Sequence, residues 1–151
     1  MICKIPFESI SIESDGVHII MNARINSIPS RILIDTGASR TVFDSNRIER
    51  FVEKLESVEN QQLSTGLGTN NMQSHIITLE NFELGDLHLK NYQCVIIDMM
   101  HINESFNSIG HQQIDGVLGG DILNTYKAEV DYRKREIRFR FPKNLIKKNI
   151  V

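Results

Sequence analysis

An acid, a hydroxyl residue and a glycine stand in a row at Asp35, Thr36 and Gly37, directly after the short apolar run 31–34. A carboxylate held at the end of a buried strand can act as a general base toward water or as a general acid toward a carbonyl oxygen. The same triplet is also typical of a turn in which the aspartate accepts hydrogen bonds from its own backbone. Taken alone, it leaves a catalytic and a purely structural interpretation open.

Two further glycine-bearing segments follow in a fixed order. The polar stretch 61–71 lies between two extended segments and predicts the tip of a hairpin. Farther on, the segment 117–120 runs from two apolar residues into two glycines, and a short helix is predicted from Asp121. Each segment has an ordinary structural explanation, but the three signals in this order favour one shared site.

The elements that would position these residues are mostly strands. Short apolar or alternating runs bounded by turn residues predict strands at 17–21, 31–34, 76–79, 82–89, 92–97, 117–118, 127–132 and 136–141. At the N-terminus, two alternating apolar pairs within 2–12 are out of phase by one residue, so we predict an interrupted strand there. The segment 99–113 predicts a loop with a helical turn.

One segment has the pattern of an amphipathic helix. The i, i+3, i+4, i+7 spacing of such a helix is met by four apolar residues, Ile48, Phe51, Val52 and Leu55. Charged residues occupy the intervening positions, and polar residues at 44–46 are suitable caps. The pattern therefore predicts a helix at about 45–56, in addition to the short helix after Gly119.

Composition excludes several classes of protein. The 151 residues include 17 Lys and Arg against 19 Asp and Glu, a formal net charge of −2, and 40% are hydrophobic. The near-neutral charge gives no electrostatic indication of nucleic-acid binding. The longest apolar runs fall far short of the ~18 residues of a membrane-spanning helix. The length is typical of one domain, so we expect a single domain over 1–151.

Cysteine and histidine usage points to no metal site and no disulfide framework. The two cysteines, Cys3 and Cys94, are most simply explained as reduced thiols. The five histidines show no metal-ligand spacing: they are His18, His75, His88, His101 and His111. The N-terminus lacks the apolar core of a signal peptide, so we expect a cytoplasmic protein.

The segments 33–39, 61–72 and 117–121 together resemble the retropepsin-like aspartic proteases, the single-lobe relatives of pepsin that work as homodimers. With the flanking strands, the resemblance spans roughly residues 17–141. It implies a mostly β, closed-barrel fold, hydrolysis of peptide bonds in extended peptides or unfolded protein segments, and no cofactor. The sequence departs from the viral members at two positions, since Ser39 stands where they carry an Asp and Gly120 stands where they carry an Arg. In this respect it resembles the cellular and bacterial branch of the family.

The resemblance also implies roles for individual residues. Asp35 would be the catalytic acid, Thr36 would brace the two catalytic loops across the dimer axis, and Gly37 would allow close approach of backbone and substrate. The substrate would lie against Ala38, Ser39 and Arg40 and under a flap carrying Gly66, Leu67 and Gly68. Arg40 could favour an acidic side chain in the peptide, but an exposed arginine on a strand edge is the simpler explanation.

The chain has one Asp-Thr-Gly triplet and no second acid followed by a hydroxyl residue and a glycine. A dyad would therefore need Asp35 from each of two chains on a two-fold axis, which predicts a homodimer. Its interface is expected in the terminal segments 2–12 and 136–151, unless these pair within one subunit. The alternatives are a non-catalytic peptide-binding or dimerisation module on the same fold, and a small β-barrel with a chance motif.

Overall fold

The structure is a computed structural model that describes residues 1–11, 16–53, 58–59 and 75–147. Its strands are β1 Ile2–Ser11, β2 Val17–Ile25, β3 Ile28–Ile34, β4 Val42–Asp44, β5 Val58–Glu59, β6 His75–Leu84, β7 Leu87–Ile97, β8 Gly116–Leu118, β9 Glu129–Asp131 and β10 Glu136–Arg140. The helices are α1 Met100–Ser108 and α2 Gly120–Thr125, with 3-10 turns at Ile48–Arg50 and Lys143–Leu145. The fold is mostly β, as predicted.

Six of the strands close into a barrel. Around the ring, β2 pairs with β3, β3 with β8, β8 with β4, β4 with β7 and β7 with β6. The ring closes where β6 returns to β2, at the pairs Arg24–Glu83 and Ile25–Phe82. The neighbours β3 and β8 run parallel, so their carboxyl ends meet at the same end of the barrel.

The strands at the centre of the barrel wall are buried on both faces. Ile32 and Ile34 of β3 pack into a large core inside the barrel, while Leu33 packs into a second cluster that includes Phe106 of α1. A strand covered on both faces appears in the sequence as a continuous apolar run rather than an alternating one. This double burial explains the run before Asp35, and it holds the start of the Asp-Thr-Gly segment on a rigid strand.

The N-terminal strand is continuous, so the predicted interruption is wrong. β1 pairs with β10 over 2–6 and with β2 over 7–11. Ile5 and Phe7 pack into the large core, whereas Ile10 packs into the second cluster. The change of phase in the apolar pattern therefore marks the point at which one strand passes from one neighbour to the next.

The predicted helix at 45–56 is corrected in its described part. Residues 45–53 contain turns and the single 3-10 turn Ile48–Arg50, and 54–56 lie outside the described residues. Ile48 and Phe51 are buried as the pattern requires, because residues three apart share a face in a 3-10 turn as well. The carboxylate of Asp44 does not cap this turn, since it accepts hydrogen bonds from Asn46 N at 3.0 Å and Met99 N at 3.1 Å.

The other two helices fall where the sequence suggested helical structure. The short helix after Gly119 is confirmed as α2. The helical turn expected within 99–113 is the longer helix α1, which is held to the barrel by Asn103. The buried Asn103 amide donates to Asp44 Oδ2 at 2.9 Å, and its oxygen accepts from Ile114 N at 2.8 Å. These polar anchors explain why α1 needs only a weak apolar stripe.

The terminal segments pair with each other within this chain, through β1 and β10. Beyond β10, Ile146 forms a bridge to Leu87, and Lys147 N donates to Asp86 O at 2.8 Å. Cys3 and Cys94 are free and buried, and burial raises the pKa of the Cys94 thiol to about 12. No helix in the described ranges is long and apolar enough to cross a membrane.

Candidate active site

Asp35 lies at the carboxyl end of β3, where the chain leaves the barrel wall. Its backbone N–H donates to Leu118 O at 3.0 Å, which continues the pairing of β3 with β8 by one residue. Asp35, Thr36 and Gly37 are all exposed. The pairing fixes the backbone that carries the acid while leaving its side chain accessible from outside.

The carboxylate of Asp35 is oriented by its own turn. Gly37 N donates to Asp35 Oδ1 at 2.9 Å, and Ala38 N donates to Asp35 O at 3.2 Å. A Cβ atom at Gly37 would lie 3.3 Å from Oδ1, so a side chain there would crowd the carboxylate. The turn expected from the triplet is therefore present. It leaves Oδ2 without a hydrogen bond among the described residues, so the turn is compatible with chemistry at that oxygen.

The start of α2 packs directly beneath this turn. Gly120 N donates to Ala38 O at 2.7 Å, and Asp121 N donates to Ser39 O at 3.1 Å. A Cβ atom built on Gly119 would lie 2.5 Å from Arg40 C and O, closer than real Cβ contacts come. Two successive carbonyls of the candidate catalytic loop are therefore fixed by the N-terminus of one short helix, and glycine is what allows the contact.

Asp121 ties the end of the loop to the barrel. Its Oδ1 accepts hydrogen bonds from Thr41 N at 2.9 Å and Thr41 Oγ1 at 2.8 Å, and Thr41 Oγ1 in turn accepts from Gly119 N at 3.0 Å. Tyr92 on β7 donates its hydroxyl to Asp121 Oδ2 at 3.3 Å. Burial, and then the nearby Asp121 carboxylate, raise the pKa of Tyr92 above its ordinary value, so the hydroxyl remains a donor.

Thr41 and Tyr92 are the residues of this site that sequence reasoning missed. Asp121 appeared to begin the helix, whereas the N-cap of α2 is Gly119 and no side chain caps it. Thr41 directly follows the predicted site residues, in a segment that the sequence shows only as polar. Its near-complete burial, with 2% of its surface exposed, depends on the folded barrel.

Replacing Thr41 with Val is expected to lower the free energy of unfolding by about 2 kcal/mol, since it removes a donor to Asp121 and leaves Gly119 N without its acceptor. The side chain keeps its shape, so the loss reports the hydrogen bonds. Urea unfolding measures it. Thr78→Val, on an exposed position of β6, is the matched control and should change the free energy by less than about 0.5 kcal/mol. Equal midpoints for the two variants would contradict this account.

The structure places the other predicted site residues as follows. Ala38 is half-buried, and Ser39 and Arg40 are exposed on the loop that follows Asp35. The predicted flap residues Gly66, Leu67 and Gly68 lie outside the described residues. The loop 35–41 and the segment 118–121 are brought together as the sequence pattern suggested, and the flap remains a prediction.

Three other acids near these elements are engaged in structural hydrogen bonds. Asp44 holds α1, Asp121 holds Thr41, and Asp115 accepts from Arg31 N and Arg47 Nε. Asp44 and Asp115 are buried. Within the ranges that the structure describes, no three His, Cys, Asp or Glu side chains form a cluster that could hold a metal ion. Of these four acids, Asp35 is thus the one that combines exposure with a rigid support.

Comparison with known families agrees with this geometry. A family model described as aspartyl protease matches residues 21–122, which include the Asp35 turn, the Thr41 anchor and the segment 117–121. The match covers more than half of the chain. This chain therefore belongs to the aspartyl protease family. No curated protein sequence matches it.

Solved structures with the same fold are retropepsin-like. A retropepsin-like aspartic protease from Rickettsia conorii aligns with a TM-score of 0.54 and 19% identity, over 92% of this chain and 90% of that one. The retroviral protease-like domain of Ddi1 from Leishmania major gives 0.51 and 15%, over 83% and 94%. The EIAV protease complexed with the inhibitor HBY-793 gives 0.54 and 18%, over 81% and 99%. The predicted single-lobe fold is confirmed.

Proposed function

We propose that this chain is an aspartic endopeptidase in which Asp35 from each of two identical chains activates a water against a peptide bond. The observation that carries the proposal is the placement of Asp35. Its side chain is exposed at the end of β3, its backbone is tied to β8, and its carboxylate is oriented by Gly37 N. Membership of the aspartyl protease family supports the same assignment.

The second carboxylate of the dyad would come from a second copy of the chain. One chain carries one Asp-Thr-Gly triplet, and the acids Asp44, Asp115 and Asp121 are occupied by structural hydrogen bonds. A two-fold axis beside the exposed loop would bring the two Asp35 side chains together. Exposed Thr36, next in the chain, would lie at the same axis and could bond across it.

Two carboxylates a few Å apart share one proton, because both cannot be ionised at that distance. The ionised member would take a proton from water as the oxygen attacks the peptide carbonyl carbon. The protonated member would give its proton to the carbonyl oxygen, which forms a tetrahedral intermediate. The carboxyl that took the proton from water then gives it to the amide nitrogen, the other carboxylate takes the proton of one hydroxyl of the intermediate, and the C–N bond breaks to give a carboxylic acid and an amine. The reaction uses only the dyad and water.

The substrate would be an extended segment of peptide or unfolded protein. A cleft between the catalytic loops and a hairpin flap binds a backbone as an added strand. The carbonyls of Ala38 and Ser39 already accept hydrogen bonds from the start of α2. We therefore assign substrate contact in this loop to side chains and to other backbone atoms, with exposed Arg40 as the residue that would select an acidic side chain.

Mass spectrometry of a diverse peptide mixture incubated with the protein between about pH 4 and 7, around the carboxylate range, tests the proposal. We expect internal cleavage products and a specific activity that rises with protein concentration, because only the dimer contains a complete dyad. A specific activity independent of concentration would contradict the shared dyad. Intact peptides at every concentration at which the protein is dimeric would identify it as a peptide-binding or dimerisation module instead.

A further inference from the structure

A polar cleft of about 600 Å³ lies at the end of the barrel opposite to Asp35. It is lined by residues at the amino ends of the parallel strands β3 and β8, among them Ser30, Arg31 and Asp115, and by Arg47 and Arg50 of the 3-10 turn region. Asp35 and Gly119 follow the carboxyl ends of these same two strands. We call this region the basic cleft. It is separate from the candidate active site, and the proposed mechanism does not use it.

The basic cleft carries more positive charge than its buried acid can neutralise. Asp115, with 4% of its surface exposed, accepts hydrogen bonds from Arg47 Nε at 2.7 Å and Arg50 Nη1 at 3.3 Å. Two guanidinium groups thus share one carboxylate. At the rim, Arg31, whose side chain is 21% exposed, forms an ion pair with Glu8.

The guanidinium groups also have N–H donors that the described hydrogen bonds do not use. Each guanidinium has five N–H donors. The hydrogen bonds described for Arg47 use Nε on Asp115 and Nη1 on Gln113, and the one described for Arg50 uses Nη1. About half of the Arg50 side chain remains exposed (52%). Planar forks of this kind bind oxyanions through paired hydrogen bonds.

A second, independent observation points to a ligand. Arg31 lines the cleft, and its buried Nε has no hydrogen-bond partner among the described residues. Buried polar atoms in folded proteins are nearly always paired, so an unpaired donor in the lining of this cleft indicates an occupant that accepts hydrogen bonds. That occupant would also neutralise the excess charge.

We propose that the basic cleft binds the phosphate group of a small molecule. Its donors stand on separate elements, Arg31 on β3 and Arg47 and Arg50 on the chain after β4, so they approach from different directions. A tetrahedral phosphate presents oxygens in several directions, whereas a carboxylate presents two in one plane. The volume, within the range of small-molecule sites, leaves room for the organic part that carries the phosphate.

Titration of the ¹⁵N-labelled full chain with inorganic phosphate at constant pH and ionic strength tests the proposal. We expect saturable shifts of backbone amide signals at residues 30–31, 47–50 and 112–115, and weaker, non-saturating effects of acetate at equal ionic strength. The readout does not involve peptide hydrolysis, so it is independent of the proposed protease activity. Shifts that fail to saturate, or equal binding of acetate, would overturn the assignment.

Variants localise the binding. Arg50→Gln keeps the bonds of Asp115 to Arg31 N and Arg47 Nε, so it should fold, and it should weaken phosphate binding by about tenfold or more. Arg133→Gln, an exposed arginine of the β9–β10 turn, is the matched control and should bind as the unmodified chain does. Equal affinity in Arg50→Gln and Arg133→Gln would show an adventitious ion only and would overturn the proposal.

Discussion

Replacing Asp35 with Asn is expected to lower the rate of peptide hydrolysis by at least about 10³-fold while leaving the fold intact. Asparagine has the same shape, and its side-chain oxygen can still accept the hydrogen bond from Gly37 N that forms the turn. It cannot take a proton from water, however, so a dyad of two such residues has no base. The rate is measured as product formation from one cleaved peptide, identified by mass spectrometry.

The matched control is Asp86→Asn. Asp86 is exposed in the β6–β7 turn, so its replacement by Asn removes the same charge at a position outside the candidate site. The control should keep full activity, and both variants should unfold at the same urea concentration as the unmodified chain. Activity retained by the Asp35 variant would contradict the assignment of Asp35 as the catalytic residue, whatever the outcome for the control.

Mixing distinguishes a shared dyad from a site within one chain. If subunits exchange at random, a threefold excess of the Asp35→Asn variant leaves about a quarter of the original unmodified dimers, since each active dimer needs two unmodified chains. The activity of a fixed amount of unmodified protein should therefore fall to about one quarter. A threefold excess of Asp86→Asn, which forms active dimers, should raise total activity instead. Unchanged activity on adding the Asp35 variant would argue for independent monomers.

The sequence predicted best those parts of the fold in which burial is periodic or complete. The doubly buried run before Asp35 appears as expected, because apolar patterning encodes which face is covered. The strand predicted over 82–89 is instead divided by the turn at Gly85 and Asp86, which joins β6 to β7. For 45–56, the i, i+3 spacing of Ile48 and Phe51 does not discriminate an α-helix from a 3-10 turn. Tertiary contacts decide between the α-helix and the 3-10 turn, since Asp44 binds Asn46 and Met99 rather than capping a helix.

In the candidate site, likewise, some residues could be predicted from the sequence and others could not. Asp35 and Gly37 could be found because a triplet of adjacent residues is visible in sequence. The support of the loop could not be found, because Thr41, Tyr92 and Asp121 meet only when β4, β7 and α2 assemble. Polar side chains that are buried singly leave no periodic signal. The basic cleft is hidden for the same reason, since Arg50 and Asp115 are far apart in the chain and 3.3 Å apart in the fold.

Gly119 offers the sharpest test of the way the loop is supported. Its backbone φ of −105° is one that any residue adopts, so the need for glycine comes from space alone. The Cβ atom of an alanine would lie 2.5 Å from Arg40 C and O and 2.9 Å from Ala38 O. These are backbone atoms of the candidate catalytic loop, so they cannot move aside as a flexible side chain would. The loop and α2 must separate to accommodate the methyl group.

Gly119→Ala is therefore expected to lower the free energy of unfolding by about 3 kcal/mol, as overpacking of a tight contact does. It should also reduce the rate of peptide hydrolysis by about 10²-fold, because a displacement of about 1 Å misplaces Asp35. Urea unfolding and the peptide assay measure the two effects. Gly120→Ala is the matched control: its Cβ would meet Ala38 O at an ordinary 3.5 Å, and alanine favours a helix over glycine by up to about 1 kcal/mol. It should be neutral or slightly stabilising and fully active. If the two alanine variants behaved alike, close packing of Gly119 against the loop would not be what positions Asp35.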